Sequence, residues 1–227
     1  MQGNAQGTTA APGTKAATQG SAIALEQNAI TKYDNRWDIY GGMLFMNGQA
    51  GQNLPKRYDM GGVEMLGTYW LGSHFGIPSN HLGIAADYRI GAGTTPVLPQ
   101  ADIFGFNRIV VYQNIVSGGL EYRGPKNRYA GIDFQALVGG THGTFDTAIT
   151  GYPPNLGQEP TTAFVGVYSN RTSPWAAAGG SIDFNYSPKV AVRLQPDLIF
   201  EHFGTETREY FSISAGLVYR IGKLKTK

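Results

Sequence analysis

The chain has 227 residues, which is enough for one domain with a tail and too few for two large domains. Only 15% of its residues are charged and its formal net charge is +2, so a nucleic-acid-binding surface is not expected. Because the sequence lacks cysteine, we expect no disulfide, no thiolate metal site and no lipid anchor on cysteine. Its 32 glycines and 12% aromatic residues are typical of tightly packed sheets with many turns.

The first 35 residues differ in composition from the rest. Residues 1–35 are rich in Ala, Gly, Thr and Gln and predict a flexible N-terminal tail. No stretch has the roughly 20 consecutive apolar residues of a membrane helix, and the N-terminus lacks the apolar core of a signal peptide. For an exported protein we therefore expect the signal peptide to have been removed. Residues 36–223 predict a barrel and residues 224–227 a basic C-terminal end.

Eight segments alternate apolar with polar or small residues, which is the pattern of half-buried β-strands. In chain order they cover residues 36–46, 60–72, 82–91, 109–123, 130–138, 181–186, 190–201 and 211–222. The register of the first two is the least certain, because Leu44, Leu66 and Trp70 fall on the face that should be polar. In the seventh, Pro196 removes a ladder hydrogen bond, so we expect a bulge there.

The connections are short after segments two, four and six and long after segments one, three and five, and the seventh, near residues 204–208, is the exception. The longest covers about residues 142–175. Short turns on one rim and long loops on the other are typical of outer-membrane barrels, in which the N-terminus and the short turns are periplasmic. The sequence therefore predicts an all-β fold, a transmembrane eight-stranded antiparallel up-and-down β-barrel in the bacterial outer membrane.

The apolar face carries aromatic side chains near both ends of the strands. The periplasmic set is Trp37, Tyr69, Tyr122, Tyr186 and Tyr219, and the opposite set is Phe45, Tyr112, Phe200 and Phe211. Two aromatic belts flanking an aliphatic band are what a bilayer interface favours, because an amphipathic ring is stable at the depth of the headgroups.

The opposite face carries most of the charge. Its charged residues are Asp38, Glu64, Asp87, Arg89, Glu121, Arg123, Asp133, Asp183, Arg193, Asp197, Glu201 and Arg220. The interior of an eight-stranded barrel is just wide enough for side chains to fill it. We therefore expect a lumen charge network of paired side chains that closes the barrel by charge pairing rather than by apolar packing.

A soluble barrel of the lipocalin or avidin type also has eight alternating strands, but its apolar side faces inward. Alternation alone does not distinguish the two. The low charge, the unequal rims and the carboxylates and arginines that share a face with glycine and serine favour the membrane barrel.

Several stretches resemble OmpA-like outer-membrane β-barrel domains. GGSIDF at 179–184, the turn SPK at 187–189 and VAVRLQPD at 190–197 resemble the sixth hairpin of that family. ALVGG at 136–140 is similar to its fifth strand, and SISAGLVYRIG at 212–222 to its last strand. The resemblance implies the same transmembrane barrel. No peptidoglycan-binding domain follows in the sequence, so we expect no wall-anchoring role.

The last strand also resembles the signal by which such barrels are recognised for membrane assembly. Its residues here are Ser214, Gly216, Tyr219 and Ile221. The chain departs from the family in two ways, since Ile221 replaces the usual final aromatic residue and the chain continues to Lys227. The resemblance implies the barrel-assembly machinery as a partner.

Catalysis is not expected. Ser212, His202 and Glu201 could form a lipid-deacylating set, but His202 has outward parity whereas Glu201 and Ser212 point inward. No two of the four histidines have metal-ligand spacing, so we expect no metal and no cofactor.

We expect a non-enzymatic outer-membrane protein with a structural or adhesive role through its extracellular loops and N-terminal tail. The alternatives are a narrow channel for small solutes and, less favoured, a membrane-embedded lipid-modifying enzyme. The expected partners are outer-membrane lipids, together with a protein partner or a second copy of the chain bound through the tail or the long loops.

Overall fold

The structure is a computed structural model that describes residues 33–51, 54, 57–72, 81–147, 149–150, 157 and 159–224. Eight antiparallel strands form a closed barrel in which each strand pairs with the next and the last pairs with the first. The strands are β1 Trp37–Gly48, β2 Tyr58–Trp70, β3 Leu82–Pro96, β4 Arg108–Lys126, β5 Ala130–Thr144, β6 Arg171–Asn185, β7 Val190–Phe203 and β8 Glu206–Ile221. The predicted fold class is therefore confirmed.

The strands are staggered around the barrel. Starting at Met46 in β1 and moving from each residue to its partner on the next strand, through β8 and on to β2, one reaches Trp70. The Trp70 N–H donates to the carbonyl of Arg36. One turn around the barrel therefore ends ten residues earlier in the chain than it began. Such a stagger tilts the strands against the barrel axis, and it decides which side chains from distant strands meet inside.

The described connections follow the predicted asymmetry except that residues 204–205 join β7 to β8 by a tight turn at the extracellular end. Residues 127–129 and 186–189 form tight turns at the end where β1 begins. At the other end, a 3-10 turn at Pro99–Phe104 lies between β3 and β4, and a one-turn helix α1 at Thr162–Val165 lies between β5 and β6. By the rule for outer-membrane barrels, the short-turn end is periplasmic and the other end extracellular. Within the described residues, no helix is long and apolar enough to cross a membrane.

Alternation places the two faces of every strand in different surroundings. In β3, Asp87 and Arg89 are buried inside, whereas Ile84 and Ile90 are exposed outside. The irregular residues of β1 and β2 follow the same register, since Leu44, Leu66 and Trp70 are all buried inside. The interior thus takes apolar as well as charged side chains, which is why the sequence pattern of these two strands is weak.

Two local expectations were wrong. No bulge occurs at Pro196: the β6–β7 register is the same on both sides of it, and the ladder lacks the two pairs that Gln195 and Pro196 would form with residues 181 and 180. Proline has no N–H, so a bond is lost without an inserted residue. The bulge lies in β4 between Arg123 and Lys126, a segment that contains Pro125. In addition, β6 begins at Arg171 rather than near residue 181, because small residues at 176–180 pair with β5 without alternating in polarity.

Candidate functional site

The lumen is the feature to which the sequence assigns most of its charge, and the structure places all twelve of those charged side chains inside the barrel. Their exposed fractions are 5% or less, as found for Asp38, Glu64, Asp87, Arg89, Glu121, Arg123, Asp133, Asp183, Arg193, Asp197, Glu201 and Arg220. They form two main clusters at different heights.

The Arg193 cluster, on the periplasmic side of the lumen, comprises Arg193, Glu121, Asp133, Asp183 and Arg220. The guanidinium of Arg193 lies 2.7 Å from Asp183, 3.2 Å from Glu121 and 3.4 Å from Asp133. Arg220 also contacts Asp183, at 2.8 Å. Three carboxylates on β4, β5 and β6 are thereby held by one side chain from β7. The guanidinium group is planar and always charged, which suits it to contact several carboxylates at once.

The Arg89 cluster lies above it and comprises Arg89, Glu64, Asp87 and Asp197. Arg89 is 2.7 Å from Asp87 on its own strand, 3.0 Å from Glu64 on β2 and 2.7 Å from Asp197 across the lumen on β7. Neutral side chains complete the cluster, since Gln195 donates to Glu64. These carboxylates receive both charge and hydrogen bonds, which offsets part of the cost of burying them, but Glu64 Oε2 and Asp87 Oδ1 have no hydrogen-bond partner within the described residues.

Above the two clusters the lumen is filled by apolar side chains. This upper apolar layer includes Phe145, Tyr168 and Phe203, whose rings lie 5.2 to 5.7 Å apart, together with Met46 and Trp175. The expectation that paired charges rather than apolar packing close the lumen is therefore wrong for the extracellular part. The strand ends carry apolar residues on their inward face there, and the long loops shield them from water.

Glu201 belongs to this upper region and not to either cluster. Its carboxylate is buried and accepts a hydrogen bond from the neutral Gln113 at 3.3 Å. Its neighbour in register, Arg208, pairs with Glu206 instead. The structure thus places Glu201 in the lumen as predicted by its parity, but its described hydrogen-bond partner is an amide rather than an arginine.

The extracellular loops pack against each other in a loop cap, formed by the described residues between β1 and β2, 97–107 and 145–170. Leu98 N–H donates to the Val165 carbonyl at 3.0 Å, and Tyr168 N–H donates to the Ala50 carbonyl at 2.8 Å. Ala50, Leu54 and Val165 are buried within the cap. This packing could not be predicted from the sequence, because the contacts join loops that are far apart in the chain.

Residues 33–36 cross the periplasmic opening, although the sequence assigned residues 33–35 to the tail. Arg123 donates to the carbonyl of Tyr33 and to the side chain of Asn35, both at 2.9 Å. The Tyr33 hydroxyl donates to the Asn127 carbonyl at 2.9 Å, and Leu224 N–H donates to the Asp34 carbonyl. Burial raises the pKa of the Tyr33 hydroxyl, a change only partly offset by its hydrogen bond with Asn185. Residues 1–32 of the predicted tail lie outside the described part of the chain.

Comparison with known proteins identifies the fold. No protein-family model and no curated protein sequence matches the chain. Among solved structures, Neisserial surface protein A is similar over 84% of this chain and 100% of its own, with a TM-score of 0.56 and 9% identity. The attachment invasion locus protein of Yersinia pestis is similar over 83% of this chain and 99% of its own, with a TM-score of 0.48 and 14% identity.

The inside-out distribution of polarity then decides between the two barrel types. A soluble barrel would be apolar inside and polar outside, whereas this one has arginine and carboxylate clusters inside and exposed Met43, Val116 and Leu217 outside. The chain has the fold of an eight-stranded outer-membrane β-barrel.

The outer wall of the barrel carries the residues predicted for the aromatic belts. All of them face outward and are exposed or partly exposed: Trp37, Tyr69, Tyr122, Tyr186 and Tyr219 at the periplasmic end, and Phe45, Tyr112, Phe200 and Phe211 toward the other end. At the periplasmic end the Trp37 and Tyr69 rings pack edge to face at 4.7 Å.

The predicted assembly residues all lie on β8, the strand that closes the barrel against β1. Tyr219 and Ile221 face outward, and Ser214 faces inward, where it accepts a hydrogen bond from Tyr40 at 2.8 Å. Gly216 permits a close approach of β8 to β1, because a Cβ atom there would lie 2.1 Å from the Gly41 carbonyl oxygen.

The structure does not assemble the Ser-His-Glu set. Ser212 and Glu201 are buried in the lumen, whereas His202 is partly exposed on the outer face and its Nδ1 lies 3.0 Å from the Thr207 hydroxyl. Ser212 contacts Arg89 at 3.3 Å, so its hydroxyl belongs to the Arg89 cluster. Among the described residues, no group of His, Asp and Glu is arranged to hold a metal ion.

Proposed function

We propose that the barrel is a non-catalytic outer-membrane protein whose filled lumen supports the loop cap as a binding platform at the cell surface. The observation that carries this proposal is the common core of the loop cap. Loops that only connect strands do not need shared buried residues, whereas an interaction surface benefits from being held in one conformation before it binds.

The tip of the cap has the chemistry of a protein-binding surface. Ile103, in the 3-10 turn, is 78% exposed, and the neighbouring Phe104 packs edge to face against Phe164 of the next loop at 5.5 Å. Exposed apolar side chains on a supported turn are typical anchors of protein interfaces. We therefore assign the adhesive role to this tip and a host-matrix or surface protein as its partner.

The described start of the chain lies away from this platform. Residues 33–36 are bound at the periplasmic opening, at the end opposite the loop cap. A partner protein or a second copy of the chain bound through residues 1–32 stays a separate proposal, because those residues lie outside the described part of the chain. The barrel-assembly machinery would be met through β8, as the resemblance implies.

Adhesion is tested with proteoliposomes applied to surfaces coated with fibronectin or laminin. Wild-type protein should be retained on at least one of them, and Ile103→Asp should abolish retention. Asp102→Asn, in the same turn, is the matched control because it leaves the apolar tip intact. Absence of retention on both surfaces, or equal retention of the Ile103→Asp variant, would refute the adhesive role.

The narrow channel remains the alternative function, and conductance separates it from the platform. Because charged clusters and the upper apolar layer both fill the lumen, wild-type protein in planar bilayers should show no steady openings. Steady conductance of the size found in porins would replace the platform with the channel.

A further inference from the structure

A groove runs along the outer wall near the extracellular rim, over β6. It has a volume of about 380 Å³, within the range of about 300–1,000 Å³ of small-ligand sites, and its lining is largely apolar. Its floor is formed by Pro174 and Ala176, and its walls by Val138 on β5 and Phe200 on β7.

The register explains why this groove exists. Val138 pairs with Ala176, and Ala176 pairs in turn with Phe200, so a small side chain lies between two large ones on the same face. Pairs of this kind stand side by side at strand spacing, about 4.8 Å between neighbouring strands. The next outward residue of β6 toward the periplasm is Ala178, so the floor continues down the wall.

The upper end of the groove is polar. His202 and Thr207 line it, with the His202 Nδ1 3.0 Å from the Thr207 hydroxyl. On the β5 side, His142 makes the equivalent contact with Thr172, also at 3.0 Å. When Nδ1 accepts from the threonine, the imidazole proton lies on Nε2, which can donate to an anionic or hydroxylated headgroup.

Near this end Glu206 is paired with Arg208, and Arg171 supplies the charge that favours an anion. Arg171 follows the same rim and donates to the Gly204 carbonyl at 3.5 Å, beside the polar end of the groove. Glu209 is the partner of Phe200 on β8, and Ala176 is the partner of Phe200 on β6. The Phe200 ring therefore lies between Glu209 and the floor of the groove.

We propose that this groove binds an acyl chain of lipid A in the outer leaflet, with the lipid A headgroup at His142, His202 and Arg171. The wall of a membrane-spanning barrel contacts lipid, which makes lipid the natural occupant. The apolar groove leads upward to donors at headgroup depth, and an acylated, phosphorylated sugar has both chemistries in the same order.

The test is native mass spectrometry of the full chain, refolded with purified lipid A and then exchanged into detergent. Wild-type protein should retain one lipid A. Ala176→Phe fills the groove and should lower the retained fraction by at least about tenfold. Ala92→Phe is the matched control, since Ala92 also faces outward near the extracellular end, on β3. Each variant is checked for folding by comparing its electrophoretic mobility with and without heating, because a folded barrel migrates differently from the unfolded chain.

A second variant tests the polar end. His202→Leu should also weaken retention of lipid A but leave retention of diacylglycerol, which has no phosphate, unchanged. Equal retention by Ala176→Phe and wild-type protein would overturn the site. Equal retention of phosphatidylglycerol and lipid A by wild-type protein would overturn the assignment to lipid A.

Discussion

At the scale of single residues, burial inside the barrel gives a few arginines a disproportionate share of its stability. Arg193 is fully buried and holds three carboxylates, and Arg89 does the same one layer higher. Removing one partner of such a group leaves uncompensated charge in a confined interior, which costs more than the intact pair contributes.

Arg193→Ala should therefore lower the free energy of unfolding by about 3–5 kcal/mol. Arg108 provides the control, because it lies on the exposed rim and its guanidinium donates to Thr94. Arg108→Ala should change the free energy of unfolding by less than about 0.5 kcal/mol. The measurement is denaturant unfolding of protein folded into lipid vesicles. A change at Arg193 as small as that at Arg108 would show that water replaces the guanidinium in the cluster.

The outer wall should be intolerant of charge in proportion to depth. Leu217 is 58% exposed in the middle of the wall, and Leu217→Arg should cost about 2–4 kcal/mol, whereas Tyr186→Arg at the rim should cost about 0–1 kcal/mol. Refolding titrations in vesicles compare the two. Ser214, on the inward face of the same strand, is unsuitable as a control because it is buried against Tyr40. Equal costs at 186 and 217 would contradict a membrane-facing wall.

At the scale of elements, closure of the barrel depends on the pairing of β1 with β8. Gly216 allows the close approach there, since a Cβ atom would meet Gly41 and Gly42 backbone atoms at 2.1 and 2.4 Å. Gly216→Ala should lower the free energy of unfolding by about 1–3 kcal/mol, because backbone must move to admit the methyl group.

Gly41→Ala is the control for the pairing of β1 with β8, because a Cβ atom at Gly41 would have no atom within 4 Å. It should leave the midpoint of urea unfolding nearly unchanged. If Gly216→Ala and Gly41→Ala shift the midpoint by the same amount, the flexibility of glycine, and not the close approach of the two strands, determines the stability of the β1–β8 pairing.

The loop cap should depend on Gly166 in the same way. Gly166 has φ 91° and Gly105 has φ 74°, so alanine at either position costs about 1–2 kcal/mol of backbone strain. Only at Gly166 would the new Cβ also collide with the Leu98 side chain, at 2.5 Å. Limited proteolysis of vesicle-bound protein should therefore cut the loops faster in Gly166→Ala than in Gly105→Ala. Equal rates would show that the loops are not packed together.

At the scale of the whole molecule, two layers of different chemistry close the lumen. The Arg193 and Arg89 clusters fill its periplasmic and middle parts, and the upper apolar layer fills the rest. Arg193→Ala should therefore remain non-conducting in planar bilayers in spite of its lower stability. Steady openings in this variant would show that the charge cluster alone closes the barrel and that the apolar layer is permeable.

Several features of the fold follow from the sequence by itself, because they depend on neighbours along the chain. Period-two alternation assigns each side chain to one face of its strand, and it placed Asp87 inside and Ile84 outside. Turn residues and connection lengths gave eight strands and the two unequal rims. The signal failed where alternation fades: the small residues 176–180 do not alternate, so the predicted β6 began near residue 181 instead of at Arg171.

Only the tertiary structure decided which groups meet. Arg89 reaches Asp197 across the lumen from β3 to β7, and Arg193 reaches Glu121 from β7 to β4, so neither contact joins neighbouring strands. The stagger of the closed wall sets their heights, and it is a property of all eight registers together. The loop cap has the same origin, since closure of the barrel brings its loops side by side. The groove over Ala176 depends instead on the registers of the neighbouring strands β5, β6 and β7.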